Sequence, residues 1–224
     1  MGPDASPTDE PARRSDASEP ARRHVRPWAI FLALTAAGTA ADLWTKHHLF
    51  EALLSRPDSA DRIKRVHAAF HAQGTAAAPQ DVLHAAGVER PLFAGIRLTL
   101  QTNPGVVFGL RLPGAVVAVA TTAAVALVGW FFLTSPAWAW ELHAAMGCIL
   151  GGALGNAYDR LWATVTLPGG AGVIRHQVRD FVNCAAWGYP WVFNIADALL
   201  VIGVVLLVAH SLLAGRRGRR AGAA

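Results

Sequence analysis

The sequence predicts a mainly α-helical, polytopic membrane protein with four transmembrane helices, a small extracytoplasmic β element and a surface helix. Hydrophobic residues make up 53% of the chain and charged residues only 16%, whereas a soluble domain carries about 25% charged residues. The apolar residues also fall into separate runs of about 20, the length at which a helix crosses a bilayer. Finally, arginines cluster at both ends of the chain, outside the apolar runs.

Four apolar segments are expected to cross the bilayer. The third has the weakest signal, because Glu141 and His143 lie near its start. The same segment carries Gly151 and Gly155, a spacing of small residues that allows membrane helices to approach closely. The expected spans are approximately residues 27–45, 112–133, 137–158 and 191–213.

The basic residues at the two ends predict that both tails are cytoplasmic. Five arginines precede Pro27 and four follow Leu213, and positive charge beside a span marks its cytoplasmic side. An even number of spans also brings both ends to one side. This placement favours a role in topology over nucleic-acid binding. We expect a disordered basic tail at residues 1–26, a single membrane domain at 27–213 and a second basic tail at 214–224.

Two polar segments, about 46–111 and 159–190, separate the spans and are expected to be extracytoplasmic. "SADRIKRVHAAFHAQG", residues 59–74, has helical character with its apolar side chains on one side. "IRLTLQTNPGVVFGLRL", residues 96–112, alternates apolar and polar residues around an "NPG" turn signal and predicts β structure. The "TNPG" segment could be only a turn, or it could present an amide and free N–H groups to a peptide.

Polar residues at the ends of the first and third spans allow structural and chemical interpretations. Asp42 and Lys46 are four residues apart with the acid first, which favours a structural ion pair at a helix end. Asn156, Asp159 and Arg160 share one helical face at the outer end of the third span. An ion pair that caps the helix end and a functional cluster explain this second set equally well.

Asp197 is the most unusual residue, because it lies in an apolar run that is otherwise free of charge. If the span begins near Trp191, Asp197 lies roughly 9 Å below the outer boundary. The preceding loop could fold back to place Asp180 against it, and two carboxylates in a low-dielectric site would share a proton. That arrangement provides the acid and the base of an aspartic protease. The alternative is that Asp197 pairs with an arginine such as Arg160.

Metal or cofactor chemistry is not expected from the sequence. Cys148 and Cys184 do not form a C-x-x-C pattern, and the nine histidines include no H-E-x-x-H motif. We therefore predict a site without a metal ion and without another cofactor.

Five motifs in chain order resemble those of the signal peptidase II family, the bacterial prolipoprotein signal peptidases. They are "DLWTK" (42–46), "NPGVVFG" (103–109), "GGALGNAYDR" (151–160), "VRDF" (178–181) and "FNIAD" (193–197). The pattern "GNxxDR" followed by "FNxAD" at the mouth of the next span is specific to the family.

The resemblance implies a membrane aspartyl endopeptidase that removes the signal peptide of diacylglyceryl-modified prolipoproteins just before the lipidated cysteine. It implies a four-helix bundle with a β-cradle in the bacterial inner membrane, with the active site near the outer face. The implied partners are the lipid-modified substrates and membrane lipids, without nucleic acid. The implied residues are catalytic Asp180 and Asp197, substrate-binding Asn103, Gly105, Asn156, Arg160 and Asn194, and supporting Asp42, Lys46 and Asp159.

Three departures from the family pattern affect the loops. The link between Asp159 and Asp180 is longer, Pro104 and two valines follow Asn103, and residues 51–90 are expanded. The long link leaves either Asp159 or Asp180 as the partner of Asp197. The apolar neighbours of Asp180 favour it, since Asp159 has Arg160 beside it.

A proton-coupled carrier is the alternative function, with Asp197 and Asp159 as a proton relay, because carboxylates inside membranes mark such paths. Against a carrier, the carboxylates lie at helix ends on one side, and the sequence shows no internal repeat.

Overall fold

The computed structural model describes residues 19–105 and 113–221, without the side chains of residues 114 and 214–221. The predictions for residues 1–18, for the "VVFG" part of the second motif and for the last three residues lie outside the described residues. The described helices are α1 (Val25–Leu54), α2 (Pro57–Ala72), α3 (Pro79–Ala86), α4 (Gly114–Thr134), α5 (Trp140–Leu161) and α6 (Ile195–Ala221). The described strands are β1 (Glu89–Phe93), β2 (Ile96–Asn103), β3 (Thr164–Thr166), β4 (Val173–Arg175), β5 (Val178–Asn183) and β6 (Val192–Phe193).

Three of the described helices are long and apolar enough to cross a membrane: Val25–Leu54, Ala115–Thr134 and Ile195–Leu213. These contain most of the first, second and fourth expected spans. The mainly helical prediction with a small sheet is therefore confirmed. Helix α5 covers most of the third expected span, but its sequence is less apolar. It is not among the three helices whose composition is apolar enough to cross a membrane.

The expected helix boundaries were wrong at three places. Helix α1 does not end near residue 45 but continues to Leu54. Its last turns pack with α2, α3 and the sheet in an apolar core, which we call the extramembrane core. Helix α5 begins at Trp140, because residues 136–139 form a turn after Pro136. Helix α6 begins at Ile195 rather than at Trp191, because Val192 and Phe193 pair with β5 as a strand.

Helix α5 lies between α1 and α6 and contacts both closely. A Cβ atom at Gly151 would lie 3.1 Å from the carbonyl oxygen of Thr35 on α1, and one at Gly155 would collide with the Asp42 carboxylate. The opposite side of α5 meets α6, where a Cβ at Gly152 would collide with the carbonyl oxygen of Ala196. The close packing predicted from the small-residue spacing is therefore confirmed.

The four-stranded sheet has the order β1-β2-β5-β6 with antiparallel neighbours. In the β2–β5 pair, Gln101 lies opposite Asp180 and Asn103 lies opposite Val178. The predicted β structure is confirmed for residues 96–103, and the predicted helix within 59–74 is confirmed as α2. This register brings the end of β2 and the middle of β5 to the same edge of the membrane helices.

The expanded segments form one small apolar core on the sheet. The end of α1, helices α2 and α3, the β3–β4 hairpin and the sheet all contribute to it. Its most deeply buried side chains include Phe50, Ile63, Val82, Leu83, Leu100, Ile174 and Phe181. The residues that lengthen the two polar segments thus support the strand that carries Asp180.

The expected disorder of residues 1–26 was wrong for its described part. Residues 21–23 form a 3₁₀ turn, and the N–H of fully buried Ala21 donates to the carbonyl oxygen of Ser135 at 2.8 Å. Ala21 packs with Phe31 and Phe132, a contact that composition alone does not reveal.

Candidate active site

A cavity of about 370 Å³ opens where β2 and β5 meet the ends of α5 and α6. Helix α4 supplies one apolar wall through Val117, Ala120 and Ala124. The polar residues that line the cavity are Asn103, Thr121, Asn156, Arg160, Asp180 and Asp197. Five of these six were predicted as site residues from the sequence, and Thr121 was not.

Strand alternation explains why Asp180 faces this cavity. Side chains two apart on a strand share a face, and both Val178 and Asp180 line the cavity while Arg179 points to the other side. Asp180 is only 3% exposed. Burial away from water, reinforced by the negative charge of Asp197, raises the pKa of the Asp180 carboxyl to about 7. This carboxyl can therefore hold a proton near neutral pH.

Asp197 lies in the first turn of α6, where it forms a reciprocal cap with Asn194. The N–H of Asp197 donates to Asn194 Oδ1 at 3.0 Å, and the N–H of Asn194 donates to Asp197 Oδ2 at 3.3 Å. This is the capping-box arrangement, and a carboxylate near a helix N-terminus is also favoured by the helix dipole. The expected start of the span near Trp191, from which the depth of roughly 9 Å followed, was wrong, because α6 begins at Ile195.

Two asparagine side chains connect the two carboxyl groups. Asn194 Nδ2 donates to Asp180 Oδ1 at 2.6 Å and to Asn156 Oδ1 at 3.2 Å. Asn156 Nδ2 donates in turn to Asp197 Oδ1 at 2.8 Å. Asp180 and Asp197 therefore face one cavity and are fixed through neutral amides rather than through basic side chains.

Arg160 borders the same cavity and holds the end of β2. Its guanidinium donates to the carbonyl oxygen of Gly105 at 3.0 Å and to that of Asn156 at 3.4 Å. The N–H of Gly105 donates to Asn103 Oδ1 at 2.9 Å, which closes the turn. Among the ion pairs of the described residues, none joins Arg160 to Asp197, so the alternative pairing is not found.

Asp159 lies outside the cavity and is bound by basic side chains. The Arg179 guanidinium donates to Asp159 Oδ1 at 2.6 Å and 3.1 Å, and the Arg179 N–H donates to Oδ2 at 2.9 Å. The ammonium of Lys46 lies 3.3 Å from the same Oδ2. The sequence left Asp159 as a possible partner of Asp197, but its fully buried carboxylate is committed to these bases. Its pairing with Arg179 was not predicted.

The predicted Asp42–Lys46 ion pair is present, with 2.7 Å between Lys46 Nζ and Asp42 Oδ2. Both residues are fully buried within α1, so the expectation that the pair marks a helix end was wrong. Asp42 Oδ1 accepts the N–H of Ala196 at 2.8 Å, and Lys46 Nζ donates to Asn156 Oδ1 at 2.9 Å. The pair thus supports both the start of α6 and one of the bridging asparagines.

A second, apolar cavity of about 490 Å³ also reaches Asp197. It is lined mainly by aromatic and aliphatic side chains from the β5–β6 connection and from α6. Within the described ranges, no group of three or more His, Cys, Asp or Glu side chains is placed to hold a metal ion. The site thus combines two carboxyl groups, amides and one guanidinium with neighbouring apolar space.

Membrane-length helices with a polar cavity at their ends define a multi-pass membrane protein with an enzyme-like site. The family model described as signal peptidase (SPase) II matches residues 34–213. This chain belongs to the signal peptidase II family, and it is therefore a membrane protease. The proton-carrier alternative has no support from this assignment.

Curated relatives agree with the family assignment. A lipoprotein signal peptidase of Rhodopirellula baltica is 32% identical over 211 residues, which cover 92% of this chain and 80% of the relative. A lipoprotein signal peptidase of Anaeromyxobacter sp. is 30% identical over 219 residues, covering 91% of this chain and 93% of the relative. A bacterial membrane enzyme solved by the in meso method at 2.3 Å resolution is similar with a TM-score of 0.48 and 22% identity, covering 69% of this chain and 85% of that chain.

Proposed function

We propose that this chain is an aspartic endopeptidase that removes the signal peptide of diacylglyceryl-modified prolipoproteins by cleavage just before the lipidated cysteine. The observation that carries the proposal is that Asp180 and Asp197 face one cavity and are fixed by neutral amides. The family assignment supports the peptidase activity, and the names of the relatives support the lipoprotein substrate.

In the proposed mechanism the two carboxyl groups activate one water molecule. Asp180, with a pKa of about 7, carries the shared proton and donates it to the oxygen of the scissile carbonyl. Asp197 takes a proton from the water, which attacks the carbonyl carbon. Its position at the start of α6 favours the negative charge that a base requires. The tetrahedral intermediate then collapses as the leaving amine accepts a proton from the pair.

The remaining polar residues hold the carboxyl groups and the peptide. Asn156 and Asn194 fix both carboxyl groups by the hydrogen bonds given above. Arg160, Asn103 and the backbone of Gly105 form the rim next to β2, where they can bind the peptide carbonyls of the substrate. Asp42, Lys46 and Asp159 support this arrangement from the side away from the cavity.

The apolar surroundings suit a lipidated substrate. Helix α4 lines one side of the carboxyl pair and the second cavity lies on another side of Asp197. A lipid anchor held between helices would bring the peptide bond beside the lipidated cysteine to the level of Asp197. The carboxyl pair lies at the membrane boundary because the bond to be cut lies there.

We further infer four spans in the bacterial inner membrane, with both termini cytoplasmic and the site near the outer face. Helix α5 has 22 residues, about 33 Å at 1.5 Å per residue, which is sufficient to cross the hydrocarbon core. It can cross with a less apolar sequence because α1 and α6 cover it. Reporter fusions after Gly215 and within residues 60–90 should then report opposite compartments, and a shared compartment would contradict this topology.

A gel-shift assay with purified protein tests the proposed function. A diacylglyceryl-modified prolipoprotein should be converted to a faster-migrating band, while the same precursor without the lipid should remain intact. Asp180→Asn protein provides the matched negative control. Proton flux in liposomes that depends on Asp197, without cleavage of the lipidated precursor, would contradict the proposal.

A further inference from the structure

Helix α2 carries two histidines whose ring nitrogens meet. His67 and His71 are one turn apart on the helix and lie on the same face. The distance between His67 Nε2 and His71 Nε2 is 3.0 Å. His71 is exposed and His67 is half-buried, so both rings are accessible from solvent. Neither residue lines the cavity that contains Asp180 and Asp197.

The two rings are oriented as two ligands of one metal ion would be. Their centroids are 4.5 Å apart and their planes are inclined by 80°. For a metal about 2.1 Å from each nitrogen, a ligand angle of about 90° places the nitrogens about 3.0 Å apart and the centroids about 4.6 Å apart. A tetrahedral angle would require about 3.4 Å and about 5.3 Å for the same bond length. The observed distances fit adjacent positions of an octahedral or tetragonal ion.

We propose that His67 and His71 form a two-ligand site for a divalent late transition metal, with Cu²⁺ or Ni²⁺ as the preferred ions. Imidazole suits these ions, and right-angled ligand geometry is typical of them. The remaining positions would be filled by water, because no group of three potential ligands is found in the described ranges. Affinity should follow the general order for such ligands, in which Cu²⁺ exceeds Ni²⁺ and Zn²⁺.

Binding replaces the proton that the two nitrogens share. In the present arrangement one neutral ring donates its Nε2–H and the other accepts it. A metal needs the lone pair of each Nε2, so the single proton of the donor ring moves from Nε2 to Nδ1 through solvent, and both rings bind as neutral imidazoles without net release of a proton. No other bond changes, and neither the metal nor the protein changes oxidation state.

The site is separate from the peptidase chemistry. Helix α2 is anchored through Ile63, which is fully buried in the extramembrane core. A metal on the histidine face would therefore clamp adjacent turns of a helix that is already formed. Cleavage should not require the ion, and the two properties can be measured independently.

Titration calorimetry of the full-length protein tests the proposal. The protein should be purified in detergent through an affinity tag that contains no histidine, and titrated with NiCl₂ and with CuCl₂. We expect one equivalent of each ion to bind, and His67→Ala and His71→Ala should each weaken binding at least tenfold. His47→Ala is the matched control, since His47 is also exposed and has a potential ligand, Glu51, one turn away at 3.4 Å. It should leave binding unchanged.

The spectrum of bound Cu²⁺ provides a second readout. Electron paramagnetic resonance should show two nitrogen ligands in the wild-type protein and fewer in His71→Gln. Melting curves without metal should be the same for all variants, which separates ligand loss from misfolding. Absence of binding, or binding that survives both His67→Ala and His71→Ala, would overturn the site. Neither result would bear on the proposed peptidase function.

Discussion

The protein contains two groups of buried or half-buried acids in adjoining regions, and the surroundings of the two groups differ. The first group is Asp42 and Asp159, and the second is Asp180 and Asp197. The first two are paired with Lys46 and Arg179 and have no access to the cavity. The second two are held by asparagine amides and border the cavity. A carboxylate that is fully neutralised by bases stabilises the fold, whereas one that is held by neutral donors beside open space can exchange protons with a substrate.

The electrostatic balance makes the same distinction. The first group contains two acids and two bases, which balance in charge, and Lys46 also contacts Asn156. In the second group, Arg160 is directed to backbone carbonyls instead of to either carboxylate. Proximity of like charges and burial then keep a proton on the second group.

The largest expected effect is the loss of cleavage when either cavity acid is replaced. Asp180→Asn and Asp197→Asn should each lower the turnover of lipidated prolipoprotein by several orders of magnitude, because an amide cannot act as acid or base. The double variant should be scarcely slower than either single variant, since residues that act as one unit are not additive. Single-turnover rates would measure this, and multiplicative losses in the double variant would contradict a shared role.

The second effect is on stability. Asp159→Asn leaves Arg179 without its buried carboxylate, and breaking a buried ion pair costs about 3–5 kcal/mol. The detergent-solubilised variant should melt at a clearly lower temperature than the wild type, while its folded fraction still cleaves. Unchanged melting would show that the Asp159–Arg179 pair does not stabilise the fold.

The third effect is a decline of activity with rising pH. The pKa of Asp180 is raised to about 7, so the protonated acid is lost as pH rises through that value, and the rate should fall up to tenfold per pH unit above it. Folded protein also binds more protons than unfolded protein between the usual aspartate pKa and about 7, so stability falls over that range as pH rises. Asp180→Asn should remove this dependence of stability on pH. Cleavage that rises steadily up to pH 9 would contradict Asp180 as the acid.

A smaller effect is expected at Asp42. In Asp42→Asn, Lys46 keeps Asp159 at 3.3 Å, and the new amide oxygen can still accept the N–H of Ala196. The free energy of unfolding should fall by about 1.5–3 kcal/mol, the contribution of a hydrogen bond to a charged group. The folded fraction should keep appreciable activity. Full thermal stability together with abolished turnover would move Asp42 into the catalytic group.

Local sequence patterns predict much of this comparison but not the partners of the acids. Long apolar runs indicate α1, α4 and α6, and the helical spacing within "DLWTK" predicts the Asp42–Lys46 pair. The start of α6 was placed too early, because Trp191 to Phe193 are apolar whether they belong to a span or to a strand. Capping by Asn194 is a local signal that could have located it.

The Asp159–Arg179 pair was missed because it joins residues 20 apart, one near the end of α5 and the other on β5. Strand alternation in "VRDFV" offered a partial clue, since neighbouring Arg179 and Asp180 must face opposite sides. Which side faces the cavity depends on the register with β2, and residue patterns do not contain that information. The extramembrane core likewise depends on contacts between segments that are distant in sequence.

The smallest expected effect is that of chelation. The proposed mechanism uses two carboxyl groups and water, so EDTA should leave the cleavage rate of lipidated prolipoprotein unchanged. Loss of cleavage with recovery on addition of zinc would contradict a mechanism that rests on Asp180 and Asp197 alone.

The most direct test of the central comparison is the ratio of cleavage rates for folded Asp159→Asn and folded Asp180→Asn protein. Both substitutions replace a buried acid by its amide, and the monodisperse fraction of each variant can be assayed with the same lipidated prolipoprotein. The account predicts that Asp159→Asn cleaves at a rate near that of the wild type, and at least a thousandfold faster than Asp180→Asn, as a general-acid role requires. Normal cleavage by Asp180→Asn together with an inactive, well-folded Asp159→Asn would contradict it.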